Sequence, residues 1–458
     1  MRRNIALKNK YRKIFKKFKH PNDQIKFNTI RRLVKSQITR DFGKYTDDVS
    51  DRLRNEPQYF WQYVRMRKRQ TRIPGILTYN NENLSNPLDI VEGFASYFQS
   101  VYISDDKSVQ VKEDSISDSN NLIYPLINID NITITDVEKA LTQIKPKVSS
   151  GLDQIPCFVV KDCKAVFAGP LTYIFKLSLR TCTFPDEWKL VKISPILKSG
   201  DNTCIKNYRP ISLMSVFSKV FEIVLHNMLF PLLKSIIVSN QHGFYPGRST
   251  LTNLSCFSQY VADKLDTRHQ VDCVYLDISK AFDRILHSRL ISKLSYYGFS
   301  ENIIKFFESY LFNRQQVVCY NGFNSKLFHQ PTGVPQGSVL GPLLFLLYVN
   351  DITNHIGNKT LSYADDIKIF STIDSINDCL TLQRDLLNIA ERCNANGLEL
   401  NLRKCKIVSY SRKKSKFLYD YSISDHIIER ADSVKDLGVQ FDKCLTFIDH
   451  IETITQSS

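Results

Sequence analysis

Two adjacent carboxylates, Asp365 and Asp366, stand at the centre of "LSYADDIKIF" (361–370), between two short apolar runs that read as strands. Side chains alternate across a strand, so sequence neighbours point to opposite faces. The two acids can converge only if a tight turn breaks that alternation, and the flanking runs "LSY" and "IKIF" make a hairpin tip the natural geometry. Burying one unpaired carboxylate costs several kcal/mol or forces it to take up a proton. A positive group is therefore expected at the tip. Two carboxylates there form a hard-oxygen site, and Mg²⁺ is bound by one or two carboxylates together with substrate phosphates.

The candidate third acid is Asp277, which ends "VDCVYLD" (271–277) and opens "ISKAFD". That run is apolar on both faces and partly β-branched, which predicts a strand covered on two sides. Alone, Asp277 reads equally as the N-cap of a helix over "SKAFDRIL". Beside the Asp365–Asp366 pair it reads as the third member of a two-metal clamp. "TGVPQG" (332–337) adds two glycines and a proline before an apolar run, imposing a defined turn where a backbone or base can approach closely.

The charge is distributed unevenly. Of 62 Lys+Arg and 46 Asp+Glu, residues 1–72 hold 22 and 6, so the formal +16 resides in that segment and the remainder is balanced. Such a density of one sign repels itself unless neutralised, which points to a polyanion as partner. Arg12, Lys13, Lys16 and Lys17 in the first cluster, Arg65, Arg67, Lys68 and Arg69 in the second, and Arg248 further on are the candidate nucleic-acid contacts. The bland alternative is a solvated charged face, and the two clusters also read as nuclear import signals. The eleven cysteines contain no C-x-x-C pair, which suggests reduced thiols of an intracellular protein. The N-terminus has no apolar leader, and the longest strongly apolar run, "GPLLFLLYV" (341–349), is too short to span a bilayer, so no membrane partner is expected.

Periodicity gives a basic helical arm or linker over 1–78 and a polar linker over 79–135, followed by mixed helices and strands: an α+β chain whose sheet is backed by helices.

Taken in order, "YLDISKAFD", "TGVPQGSVLGPLLFLLYVNDI", "YADD", "GLELNLRKCK" and "LGVQFD" resemble the reverse transcriptases of non-LTR (LINE-type) retrotransposons, particularly the jockey-like group. "SSGLDQIP", "FPDEWKLVKISPILKSGD", "NYRPISL" and "NQHGFYPGRST" resemble upstream blocks of the same group, so the likeness covers roughly 136–445. It implies a right-hand polymerase fold: fingers over 136–270 with the start of the palm, an antiparallel palm sheet over 271–445, and a truncated start of the thumb over 446–458. The implied activity is RNA-directed DNA synthesis, with RNA template, DNA primer or target DNA and deoxynucleoside triphosphates as partners, in a nuclear or cytoplasmic ribonucleoprotein.

Carried over residue by residue, the likeness implies that Asp277, Asp365 and Asp366, with the Ile278 carbonyl, hold two Mg²⁺ ions, Mn²⁺ being the alternative. Phe282 would be the aromatic gate that excludes a ribose 2′-hydroxyl, or else a core aromatic. Lys198 and Arg209 would cradle the triphosphate, or else be surface cations. Gln336 and Gly337 would line the nucleotide and template side, and Lys404 would lie near the triphosphate. Two positions depart from the pattern: Gln154 replaces a usual glycine and Leu197 a common proline. Rival readings are a catalytically idle nucleic-acid-binding remnant, a metal-dependent nuclease, and an intron-encoded maturase.

Overall fold

The computed structural model describes residues 2–52, 73–103, 124–129, 131–413 and 415–457. The chain divides into two units, Met1–Arg72 and Ile73–Ser458. In the first, helices Arg2–Phe18 and Pro21–Arg52 pack against each other across a tight reversal in which Lys19 is left-handed (φ 51°). Val34 of the second helix is buried, and Asn4 Nδ2 donates to Gln37 Oε1 at 3.2 Å. Tyr11, Ile14 and Phe15 are half-buried, whereas Arg12, Lys13, Lys16 and Lys17 are exposed. The second basic cluster, Arg65 to Arg69, lies outside the described residues.

The second unit is α+β and contains two five-stranded sheets. The first runs in the order Glu429–Arg430, Lys406–Tyr410, Gln270–Asp277, Asp366–Ile373, Lys359–Tyr363, antiparallel except at its first pair. Its middle strand is covered on both sides, as its pattern predicts. Val274 and Leu276 face a core shared with Ile367, Ile369 and Ile407. Val271 and Cys273 face another, with Phe257, Phe370, Val408, Tyr410 and Phe441.

The second sheet joins Tyr208–Leu213, Leu190–Leu197, Gln315–Tyr320 and Phe323–Asn324, with Phe328–His329 beside the third. Leu190–Ile193 pairs in parallel with Gln315–Val318, so the chain returns to its earlier sheet after building the middle strand of the other. The expected division at residue 270 therefore does not separate the two sheets. Such a parallel pairing needs a long crossover, and no local pattern in the sequence announces it.

Two further readings are corrected. The polar linker over 79–135 contains a helix, Pro87–Gln99, capped by Asn86, whose side chain accepts from Leu88 N. Ile90, Val91, Phe94 and Phe98 on it are buried against Val191, Ile193, Tyr208 and Val318 of the second sheet. The stretch "SKAFDRIL" forms turns and extended chain, with no helix before His287–Tyr296, so Asp277 caps nothing. "VKDLGVQFD" forms a hairpin, Ser433–Asp436 with Val439–Asp442. The segment expected to begin a thumb is a helix, Ile448–Ser457.

Among the described residues one helix, Val216–Leu233, is long and apolar enough to cross a membrane. Half of it is buried inside the protein, and it carries the fully buried Glu222. That carboxylate accepts from Val339 N (2.6 Å), Leu340 N (3.2 Å) and the Tyr310 hydroxyl (3.1 Å). It thereby satisfies two amides at the start of helix Leu340–Val349, where negative charge is favoured. The eleven cysteines are all free thiols.

Candidate active site

The hairpin loop between Lys359–Tyr363 and Asp366–Ile373 consists of two residues, Ala364 and Asp365, since Tyr363 and Asp366 are direct partners. Ala364 is left-handed (φ 57°), as the first loop position of the tightest hairpin turns demands. This breaks the alternation between Asp365 and Asp366. Across the sheet Asp366 pairs in register with Asp277, which places all three carboxylates at one end of the two strands.

Ala364 lacks glycine's freedom, and a second segment holds it in place. Gln241 Oε1 accepts from both Ala364 N (2.9 Å) and Gly243 N (2.8 Å), and Gln241 Nε2 donates to Ala364 O at 3.5 Å. Gly243 presses so closely on the loop that a Cβ there would lie 2.2 Å from Ala364 N. Gln241 and Gly243 belong to "NQHGFYPGRST", which the sequence singles out without assigning these residues a role. Its Arg248, a candidate nucleic-acid contact, donates to the carbonyls of Ser239 and Gln241 and stacks over the Tyr245 ring at 4.1 Å. Its guanidinium is thus used in fixing this segment.

The carboxylates meet cations from two directions. Lys404 Nζ lies 3.0 and 3.1 Å from the Asp277 carboxylate oxygens. Lys198 follows Leu190–Leu197, and Arg209 lies on the partner strand opposite Ile196; both are exposed and within electrostatic reach of Asp365. Burial pushes the Asp365 carboxyl above its ordinary range and Asp277 adds to the push, while Lys198 and Arg209 oppose it. Asp366 is driven the same way, by desolvation first and then by Asp365, Asp277 and Asp436; the residue is open to solvent, which moderates the push. The Lys198 ammonium is held below its usual range by desolvation and then by Arg209 and Lys404.

These shifts follow from desolvation first, and then from like charges gathered together, carboxylate beside carboxylate and cation beside cation. Among the described residues no three His, Cys, Asp or Glu side chains form a ready-made metal cage. A magnesium site does not require one, because one or two carboxylates suffice when phosphate oxygens complete the shell. The donor set fits a hard divalent cation. Ile278 bridges to Leu400, and the bonds of that bridge, Asn401 N to Asp277 O and Ser279 N to Glu399 O, leave the Ile278 carbonyl out.

The loop Thr332–Gly337 lies against the turn after Asp277. Val334 N donates to Phe282 O (2.9 Å) and Gly333 N to Ile285 O (2.8 Å). A Cβ on Gly333, itself left-handed (φ 79°), would sit 2.6 Å from Phe282 O. Phe282 is half-buried, stacked on Phe345 at 4.6 Å and edge-on to Phe244 at 5.6 Å. Gln336 O accepts from Ser212 N at 2.7 Å, and Gly337 (φ 113°) abuts Ser212 O, so this loop also touches the strand that carries Arg209. Gln336 Nε2 donates to both oxygens of Asp283, a buried acid that the sequence reading passed over. A cavity of about 200 Å³ opens beside Asp277, Asp366 and Lys404 and reaches Lys435, Asp436 and Leu437.

Residues 196–441 match the sequence pattern of the family described as "Reverse transcriptase (RNA-dependent DNA polymerase)". The chain is 30% identical over 344 residues to a "Probable RNA-directed DNA polymerase from transposon BS" of Drosophila melanogaster, covering 71% of this chain and 37% of that protein. It is 25% identical over 473 residues to the X-element counterpart of the same organism, covering 98% and 51%. To the "RNA-directed DNA polymerase from mobile element jockey" of Drosophila melanogaster it is 26% identical over 338 residues, covering 71% and 37%. The chain thus spans from about a third to about half of the length of these relatives.

Proposed function

Because the chain belongs to the reverse transcriptase (RNA-dependent DNA polymerase) family, we propose that its three converging carboxylates extend a DNA primer on an RNA template, as the polymerase module of a non-LTR, jockey-like element. The observation that carries this reading is the pairing of Asp366 with Asp277 across the sheet, with Asp365 at the loop between the hairpin strands. In it the sheet around Gln270–Asp277 is the palm and the sheet around Leu190–Leu197 belongs to the fingers.

Asp277 and Asp365 would hold two divalent cations, Mg²⁺ or Mn²⁺, with Asp366 and the Ile278 carbonyl beside them. Bound there, such ions supply Lewis-acid activation of the primer 3′-hydroxyl and neutralisation of the leaving pyrophosphate. Lys198 and Arg209 approach the carboxylates from the second sheet and would orient the triphosphate, one as a point charge and the other as a planar fork. Lys404, which pairs with Asp277, would turn to phosphate once Asp277 is otherwise engaged. Phe282, stiffened by stacking on Phe345, presents an aromatic edge suited to testing the sugar, and Gln336 and Gly337 would line the same pocket. Arg12, Lys13, Lys16 and Lys17, exposed on one helix, would add phosphate contacts that are salt-sensitive and blind to sequence.

The test is primer extension by the purified chain on an RNA template with deoxynucleotides and Mg²⁺, beside Asp365→Asn and a chelator control. Extension that disappears in the variant and with chelator supports the reading. Absence of extension in both proteins, with RNA binding intact, would identify the chain as an idle binding remnant.

A further inference from the structure

Asp283 lies six residues beyond Asp277, on the far side of Phe282, and is 8% exposed. Both of its carboxylate oxygens accept from Gln336 Nε2, at 2.8 and 2.9 Å. A carboxylate can only accept, so the amide nitrogen faces it and Oε1 is turned away. The main chain of Asp283 is equally constrained: its N–H donates to Lys280 O at 2.9 Å and its carbonyl accepts from Thr332 Oγ1 at 2.9 Å. The main-chain carbonyl of Gln336 accepts from Ser212 N, three residues beyond Arg209 on the strand of the second sheet.

A buried acid is an expensive way to hold one amide, since a neutral side chain would avoid the desolvation. Burial pushes the Asp283 carboxyl up to about 6, opposed by the Gln336 hydrogen bonds, Lys280 and Arg209.

We propose that Asp283 is a positioning residue: it fixes the amide orientation of Gln336 and, through it, the affinity of the site for the incoming nucleoside triphosphate. The inference rests on the polymerase reading above. It assigns no chemical step to Asp283. The fixed amide presents Oε1, an acceptor, on the face away from the acid. An unanchored Gln336 would sample both orientations and lose that definition.

The experiment compares the wild-type chain with Asp283→Ala, Asp283→Asn, Gln336→Ala and the double Ala variant, on a homopolymeric RNA template with its complementary primer and deoxynucleotide. Asp283→Ala should raise KM for the nucleotide about tenfold with kcat changed less than about threefold, and the double variant should be no worse than Gln336→Ala, because coupled residues are non-additive. Asp283→Asn, which keeps an acceptor for Nε2, should recover most of the loss. An unchanged KM in Asp283→Ala, or effects that add in the double variant, overturns the proposal. So does an equal fall in kcat and rise in KM accompanied by a lowered melting temperature, the mark of a merely structural role.

A parallel measurement needs no turnover: the rise in melting temperature on adding deoxynucleotide and Mg²⁺. If the wild-type chain makes no product but this rise is lost in both Ala variants and kept in Asp283→Asn, the polymerase reading fails and the inference stands. If the wild-type chain shows neither product nor a nucleotide-dependent rise, both fail.

Discussion

Replacing Asp283 by Asn should make the protein more stable at neutral pH. The carboxyl is buried and its folded pKa stands at about 6, against an ordinary value of 3.8. The sign follows from linkage. A folded pKa above the unfolded one means that the folded state binds the proton more tightly, so the ionised group opposes folding. The penalty is absent below about pH 4, grows between about 4 and 6, and is complete above that. Two units correspond to about 3 kcal/mol, and the favourable bonds from Gln336 are already contained in that figure. Asn is nearly isosteric and cannot ionise, so Asp283→Asn should gain about 2–3 kcal/mol at pH 7.5 and only about 1 kcal/mol at pH 4.5. Urea unfolding midpoints of the two proteins at both pH values, read with a common slope, measure this directly. An Asn variant that is no more stable than wild type at pH 7.5, or a gain that is the same at both pH values, refutes the reasoning.

Other substitutions probe the frame around the site. Gln154 adopts φ 58° where the family resemblance expects glycine, so Gln154→Gly should stabilise the protein by roughly 0.5–1 kcal/mol, measured as a raised urea midpoint. Glu222→Ala leaves two amides and the Tyr310 hydroxyl without their acceptor and removes a charge near the buried Arg314; a loss of about 3–5 kcal/mol is expected in the same assay. Gly243→Ala would set a methyl 2.2 Å from Ala364 N and displace the carboxylate loop, so primer extension should fall about 100-fold while the circular dichroism spectrum is retained.

The three acids were legible because they violate the pattern around them. A central strand with apolar residues on both faces, and a hairpin with charge at its tip, leave little choice of geometry. What holds them was not legible. Gln241 acts on Ala364 over 123 positions in sequence, and nothing near "YADD" signals that contact. Asp283 was hidden by its neighbour, since Phe282 accounts for the conspicuous part of "AFD" while the acid's partner lies 53 residues away. The composition of "SKAFDRIL" favours a helix, yet Lys280 is left-handed (φ 49°), and bonds from Ser279 and Asp277 to the Glu399–Asn401 segment hold the chain extended. Tertiary demands override propensity there. Helix Pro87–Gln99 was lost in the polar composition that surrounds it, although its own Ile90, Val91, Phe94 and Phe98 carry the helical spacing.

The Gln241 segment has one more consequence. Lys359–Tyr363 is the outermost strand of its sheet, and an exposed outer strand invites pairing with another molecule. Here Ser362 N donates to Asn240 O and Ser362 O accepts from His242 N, so the chain's own backbone occupies the outward donor and acceptor of Ser362. The opposite margin, Glu429–Arg430, is only two residues long. The segment that fixes the carboxylate loop also blocks strand addition at the loop end of that strand. Loosening it would therefore cost solubility together with geometry, and variants of Asn240 or His242 recovered in inclusion bodies would be reporting an uncovered sheet margin.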